Sequence, residues 1–162
     1  MSSSVAAIPA GHEGLIPHLV CDPCTAALEF YKQAFGAELI SCVPAPLGGK
    51  IMHAEMRIDG RPVFLVDDFP EMCGGKSMTP KALGGTPVTI HRFVTDVDAA
   101  VQRAVDAGAT ILMPVQDMFW GDRYGVVTDP YGHNWSIATH TKDLTPDQIG
   151  AAMIEAFAQA GQ

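Results

Sequence analysis

The sequence has few basic residues and no long apolar run, and each shortage removes a class of function. Only 10 of its 162 residues are Lys or Arg, against 18 Asp and Glu, which gives a formal net charge of −8. A basic stripe that neutralises phosphates is therefore not expected, so nucleic acid and anionic membranes drop out as partners. No apolar run approaches the roughly 20 residues that a spanning helix needs, and we expect a soluble, cytoplasmic protein.

Cysteine is also scarce. Four cysteines are too few and too unevenly spaced to act as the disulfide framework of a domain this large, so reduced thiols are predicted. His18, Cys21 and Cys24 have the spacing of zinc or copper ligands, and Cys24 near a helix start would have a lowered pKa. Strand alternation sends His18 and Cys21 to opposite faces, however. The sequence does not decide whether Cys21 and Cys24 are redox-active or metal-binding.

What the sequence does contain is an internal repeat. Each copy has an apolar strand, an Asp suited to accept hydrogen bonds at a helix start, an amphipathic helix, a Gly at the helix end and a further strand. The Asp is Asp22 in the first copy and Asp96 in the second. Two more strands follow in each copy, joined by Asp59-Gly60 in the first half and by the turn-forming run 129–132 in the second.

The repeat predicts an α+β fold made of two βαβββ modules. The boundaries that follow are a flexible tail at 1–13, a single domain at 14–146, module one at 14–68, a Gly- and Pro-rich linker at 69–87, module two at 88–141 and a C-terminal helix at 145–160.

Four stretches carry a resemblance to a known superfamily: the helix AALEFY with AFGAE, then HAEM, FWGDRYG and DPYGHNWSIATH. Through them the chain resembles the vicinal-oxygen-chelate superfamily (glyoxalase, bleomycin resistance protein and extradiol dioxygenase), and its PhnB-like branch in particular. The resemblance implies that the modules form a curved mixed sheet with a cleft for a small molecule. It also implies a homodimer.

Enzymes of this superfamily hold one divalent metal with His, Glu or Gln from the first and last strands of each module, and the metal polarises a substrate carbonyl. The resemblance puts three of these four positions on Leu15, Thr89 and Ser136, and the fourth in a stretch where only Asp67 could bind a metal. The usual ligand quartet is therefore not expected.

Three other residues are candidates for catalysis and for substitute metal ligation. His53 and Glu55 alternate along one strand and so share a face, and His91 lies in the first strand of module two. Imidazole and carboxylate suit acid–base chemistry and would hold a divalent metal, with Zn, Ni, Fe, Mn and Cu as the options. The alternative is that these side chains have structural partners within the sheet.

An aromatic and charged cluster near the last hairpin predicts ligand contacts. Arg123 could anchor an anionic or carbonyl group while Trp120 stacks on the ligand. The alternative is an Arg–Asp pair that locks the loop. The predicted substrate-binding residues are Trp120, Arg123, Tyr124, Thr89 and Ser136.

Two hypotheses of function follow. The first is a binding protein that holds an apolar or aromatic small molecule in the cleft between the modules, without the usual metal. The second is a metal-dependent lyase, isomerase or dioxygenase with substitute His and Glu ligands, or a protein that sequesters metal. A purely structural or interaction role is a third option.

Overall fold

The computed structural model describes residues 5–46 and 48–160. The chain divides into two compact units, the first ending at Gly85 and the second beginning at Thr86. Each unit contains one four-stranded mixed sheet with a helix packed on it, which confirms the predicted α+β fold and the repeated βαβββ order. Within the described residues, no helix is long and apolar enough to cross a membrane.

Unit one has its strands in the order β1-β4-β3-β2, with β1 parallel to β4 and the other pairs antiparallel. Two short helical turns follow the sheet in the stretch predicted to be an irregular linker, a 3-10 turn at Pro70–Met72 and α2 at Pro80–Leu83. The other elements of unit one are β1 His18–Val20, α1 Cys24–Phe35, β2 Glu38–Pro44, β3 Ile51–Ile58 and β4 Arg61–Val66.

Unit two repeats this arrangement in the order β5-β8-β7-β6, with β5 parallel to β8. A capping box opens its C-terminal helix, because the Gln148 N–H donates to the Thr145 hydroxyl and the Thr145 N–H donates to the Gln148 side chain. Its elements are β5 Thr89–Phe93, α3 Val97–Asp106, β6 Thr110–Asp117, β7 Asp122–Thr128, β8 Asn134–His140 and α4 Pro146–Ala160.

The long helix of each module buries one face against its sheet. In α1, Leu28, Tyr31 and Phe35 form this face, as their helical spacing predicts, and they are buried, as are sheet residues such as Met56 and Leu65. Full burial of one such side chain stabilises the fold by roughly 1.5–3 kcal/mol. Strand alternation leaves the other face of each sheet uncovered by its helix, and we call it the open face.

One turn prediction and one capping prediction are confirmed, and a second capping prediction is wrong. Asp59 and Gly60 both adopt positive φ, 50° and 75°, as a two-residue hairpin requires. Asp96 caps α3 by accepting the Ala99 N–H at 3.0 Å. Asp22 does not cap α1, because the helix begins after Pro23. The buried Asp67 accepts the first helical N–H, that of Cys24, at 2.8 Å instead.

Candidate functional site

The open faces of the two sheets carry residues at equivalent positions of the repeat. His18 lies opposite Phe64 in the parallel β1–β4 ladder, and His91 lies opposite Ser136 in the β5–β8 ladder. In each module, the backbone amide three residues after the histidine makes the last hydrogen bond of the ladder. This amide belongs to Cys21 in unit one and to Val94 in unit two. His18 and His91 therefore occupy equivalent positions in the repeat.

The next strand extends the equivalence. Glu55 lies opposite Phe64, and Val126 lies opposite Ser136, so Glu55 and Val126 also correspond. Two residues earlier on each strand, His53 corresponds to Tyr124. The same four backbone positions thus carry two imidazoles, a carboxylate and a phenyl ring in unit one, and a different set in unit two.

Aromatic rings meet on the open face of unit one. The His53 ring packs edge-on against Phe64 with ring centroids 4.8 Å apart, and the His18 ring lies 5.9 Å from Phe64 and 6.1 Å from His53. Burial, and then the neighbouring His53, lower the pKa of His18 below its usual 6.5. His18 is therefore an uncharged ring at neutral pH.

Glu55 lies on the same face but is only 8% exposed. Its Oε2 is 3.0 Å from Nε2 of His12, and its Oε1 is 3.7 Å from Nη2 of Arg57. Sequence reasoning missed His12, which falls in the segment predicted to be a flexible tail. No local pattern marks this residue, because its partner lies 43 positions further along the chain.

The open face of unit two is a row of rings with one polar pair. His91 Nδ1 is 2.8 Å from the Ser136 hydroxyl, and the His91 ring packs edge-on against Phe93 at 4.6 Å and parallel to Tyr124 at 6.2 Å. Trp120 extends the row, with its ring centroid 5.6 Å from that of Tyr124. All five predicted ligand residues belong to unit two with His91, namely Trp120, Arg123, Tyr124, Ser136 and the exposed Thr89.

Arg123 points away from this row, because successive residues of a strand alternate between faces. Its guanidinium donates to both carboxylate oxygens of Asp98 on α3, at 2.6 and 2.7 Å, and to Asp117 at 3.2 Å. The bonds to Asp98, then Asp117, raise the pKa of Arg123 above its usual value, and Arg123 lowers that of Asp98. The geometry favours the ion-pair alternative for Arg123.

The residues at the family's metal positions do not fit the usual quartet. Leu15 is fully exposed, the Ser136 hydroxyl is bonded to His91, and both oxygens of Asp67 accept backbone N–H groups. His53 and Glu55 belong to unit one and His91 to unit two. Among residues 5–46 and 48–160, no three His, Cys, Asp or Glu side chains form a group that could hold a metal ion. The site of His53, Glu55 and His91 stays a prediction.

The cysteines at the start of α1 are core residues. All four cysteines of the chain are free of disulfides, and both Cys21 and Cys24 are fully buried. Burial, followed by the nearby Asp67, raises the pKa of Cys24 to about 12, so the lowered pKa that its position at a helix start predicts is wrong. A protonated, buried thiol is a poor nucleophile and a poor metal ligand.

Comparison with known proteins agrees with the repeated fold. An uncharacterized protein of Mycobacterium tuberculosis is 56% identical over 139 residues, which cover 86% of this chain and 81% of that protein. The crystal structure of TioX from Micromonospora matches with a TM-score of 0.57 and 27% identity, over 82% of this chain and 100% of the other. The PhnB protein of Bacillus cereus matches in fold, with a TM-score of 0.59 and 18% identity over 78% and 99% of the two chains.

A family model covers most of the chain as well. It matches residues 15–137, from three residues before β1 to the middle of β8, and so spans nearly all of both βαβββ modules. The chain belongs to the glyoxalase/bleomycin resistance protein/dioxygenase superfamily.

Proposed function

We propose that this protein binds an uncharged, planar small molecule through the ring-lined open faces of its modules, without the usual metal-ligand quartet. The observation that carries the proposal is the concentration of rings on these faces. Aromatic and apolar side chains with a few fixed polar groups are the usual lining of small-molecule sites in proteins. Edge-to-face and offset contacts between rings stabilise by about 0.5–1.5 kcal/mol beyond the area they bury.

Unit two supplies flat surface and one oriented polar pair. Phe93 is 59% exposed, a large fraction for an aromatic side chain, and it borders the His91 ring. The bond between His91 Nδ1 and the Ser136 hydroxyl leaves Nε2 of His91 as the ring nitrogen available to a ligand. A ligand that stacks on Phe93 and Tyr124 and bonds to His91 would use three rings of this row.

Unit one supplies a ring-lined surface of similar character. The lowered pKa of His18 keeps its ring neutral, and this ring lies beside those of His53 and Phe64. The nearest carboxylate, Glu55, is largely covered by His12. These features favour an apolar ligand over an anionic one.

Nile red, an uncharged planar dye that fluoresces in apolar surroundings, tests the proposal. We expect saturable binding that Phe64→Leu and Phe93→Leu both weaken, because each removes a ring while keeping an apolar side chain. The matched control is Phe157→Leu, which removes an exposed ring from α4. Equal effects of all three substitutions would show surface adsorption and overturn the proposal.

A metal-dependent lyase, isomerase or dioxygenase is the second candidate. It is favoured by the gathering of His12, His53 and Glu55 near one ring, that of Phe64. Elemental analysis of untagged protein, with thermal shifts in Zn, Ni, Fe, Mn and Cu, separates the two candidates. Stoichiometric metal that is lost in both His53→Ala and Glu55→Gln would replace the metal-free proposal with the enzyme.

A further inference from the structure

A turn before β1 is bound to the open face of unit one by a single histidine. The His12 N–H donates to the Pro9 carbonyl at 3.1 Å and closes the turn. The ring then bridges two acceptors: Nδ1 lies 3.2 Å from the Ala10 carbonyl oxygen, and Nε2 lies 3.0 Å from Oε2 of Glu55.

Both of these partners are acceptors, and this fixes the protonation state of the ring. A carbonyl oxygen and a carboxylate oxygen each need an N–H, whereas a neutral imidazole has only one. His12 therefore makes both bonds only as an imidazolium. Its neutral form must give up either the bond that shapes the turn or the bond that attaches it to β3.

The turn covers groups that would otherwise be open to solvent. The His12 ring centroid lies 6.1 Å from that of Phe64, and Glu55 is 92% buried although it faces away from α1. Gly11 adopts φ of 78° and lies on Arg57, because a Cβ there would be 3.0 Å from Nη2 of the guanidinium. The turn fits the strand closely at a position where a side chain would be strained.

We infer that residues 9–12 form a strap that protonated His12 fastens over Glu55 and Phe64, and that loss of this proton releases the strap. The charged groups facing His12 are Glu55 and Arg57, both on β3, and they oppose each other. The hydrogen bond to Glu55, then that to Ala10, outweighs Arg57, so the pKa of His12 is raised above 6.5.

The sign of the pH dependence follows from this shift. A raised folded-state pKa means that the strap contributes its full stability below the unfolded value of 6.5, and that this contribution is lost as the pH rises through the folded value. Alkaline conditions therefore uncover Phe64 and Glu55. The consequence, easier access of a ligand to this face, rests on the proposed function; the strap itself does not.

Proton NMR titration of the histidine rings tests the strap without any ligand. The His12 signal is assigned by its absence in His12→Gln. We expect a midpoint above 6.5 in the wild type that returns towards 6.5 in Glu55→Gln, and no change in Glu71→Gln, which alters an exposed carboxylate. A wild-type midpoint at or below 6.5, or one that Glu55→Gln leaves unchanged, would overturn the inference.

Exposure of the covered ring provides a second readout, which also serves if Glu55→Gln fails to fold. Hydroxyl-radical footprinting of wild-type protein should modify Phe64 more at about pH 8.5 than at about pH 5.5, the range in which a histidine titrates. His12→Gln, whose side chain has only one donor nitrogen and so cannot replace both ring bonds, should be modified at the higher level at both pH values. A rate that does not change with pH in the wild type would refute release of the strap, whatever Nile red shows.

Discussion

In each module, the first N–H of the helix that follows the first strand donates a hydrogen bond to a side chain at an equivalent position. The side chain differs between the two modules. In unit one the carboxylate of Asp67 accepts the Cys24 N–H. In unit two the hydroxyl of Thr139 accepts the Val97 N–H at 2.9 Å and donates to the Val94 carbonyl at 3.0 Å. The bond that ties helix to sheet is present in both units, although a buried carboxylate makes it in one and a neutral hydroxyl in the other.

The open faces differ much more than these helix starts. Glu55 in unit one corresponds to Val126 in unit two, and Phe64 corresponds to Ser136. A backbone that must satisfy its own hydrogen bonds constrains the helix start, whereas no such demand constrains the open face. The functional residues of one module therefore cannot be inferred from those of the other module, and those of this chain cannot be inferred from its fold.

Removing the helix-start acceptors should give the largest effect and the sharpest contrast. Asp67→Ala leaves two buried N–H groups, those of Cys24 and Ile51, without an acceptor, and should cost about 2–4 kcal/mol of unfolding free energy. Thr139→Val should cost less, about 1–2 kcal/mol, because the two bonds that it removes are neutral and only partly buried. Urea unfolding measures both. Equal losses would mean that the two positions do not differ in energy.

A second contrast lies in the middle of the sheets, where Ala54 corresponds to Gly125. A Cβ at Gly125 would lie 2.9 Å from Cγ2 and 3.3 Å from Cα of Val115. Gly125→Ala should therefore destabilise by about 1–3 kcal/mol through overpacking, and Ala54→Gly by about 1 kcal/mol through backbone freedom. Adding Val115→Ala should recover part of the Gly125→Ala loss in the same urea assay; no recovery would rule out the clash.

Ligand binding should depend more on unit two than on unit one. Tyr124→Ala interrupts the row between Trp120 and His91 and should weaken Nile red binding about tenfold. His53→Ala, at the equivalent position, should weaken it less, because Phe64 and His18 remain in contact. Fluorescence titration decides between them. A larger loss in His53→Ala would make unit one the main binding face.

Unit two also has a histidine held between two acceptors, at the end of β8. His140 Nδ1 lies 2.7 Å from Asp122 and Nε2 lies 3.0 Å from Asp143, and the bond to Asp122, then that to Asp143, raises its pKa above 6.5. Its small contribution to stability should be present below pH 6.5 and lost as the pH rises through the raised value. The difference in melting temperature between wild type and His140→Gln should shrink in alkaline buffer. A constant difference would exclude a role for the proton.

Arg123 should give the smallest effect on binding. It corresponds to Met52 of unit one, and its guanidinium is held by Asp98 and Asp117. Arg123→Gln should leave the affinity for Nile red unchanged, because this side chain points away from the row of rings. The ion pairs that it loses are exposed and contribute little to stability. A loss of affinity comparable to that of Tyr124→Ala would restore Arg123 as a ligand anchor.

The sequence predicted what depends on neighbours along the chain. The hairpin at Asp59-Gly60 and the cap at Asp96 follow from local φ preferences and from a side chain three residues before its donor, and both are confirmed. It failed where the partner is distant. Asp67 replaces Asp22 at the start of α1, and His12 covers Glu55, and each of these bonds spans 43 positions. The same distance effect hid Asp98 on α3 as a partner of Arg123, because the two residues are 25 positions apart.

The burial of Cys21 and Cys24 divides the thiols of this chain into two reactivity classes. Cys42 and Cys73 are exposed, whereas the other two are in the core beside α1. A maleimide fluorophore should therefore label two thiols rapidly and leave two untouched until the protein unfolds. Because both reactive thiols lie in unit one, a fluorophore attached to them reports on that unit alone.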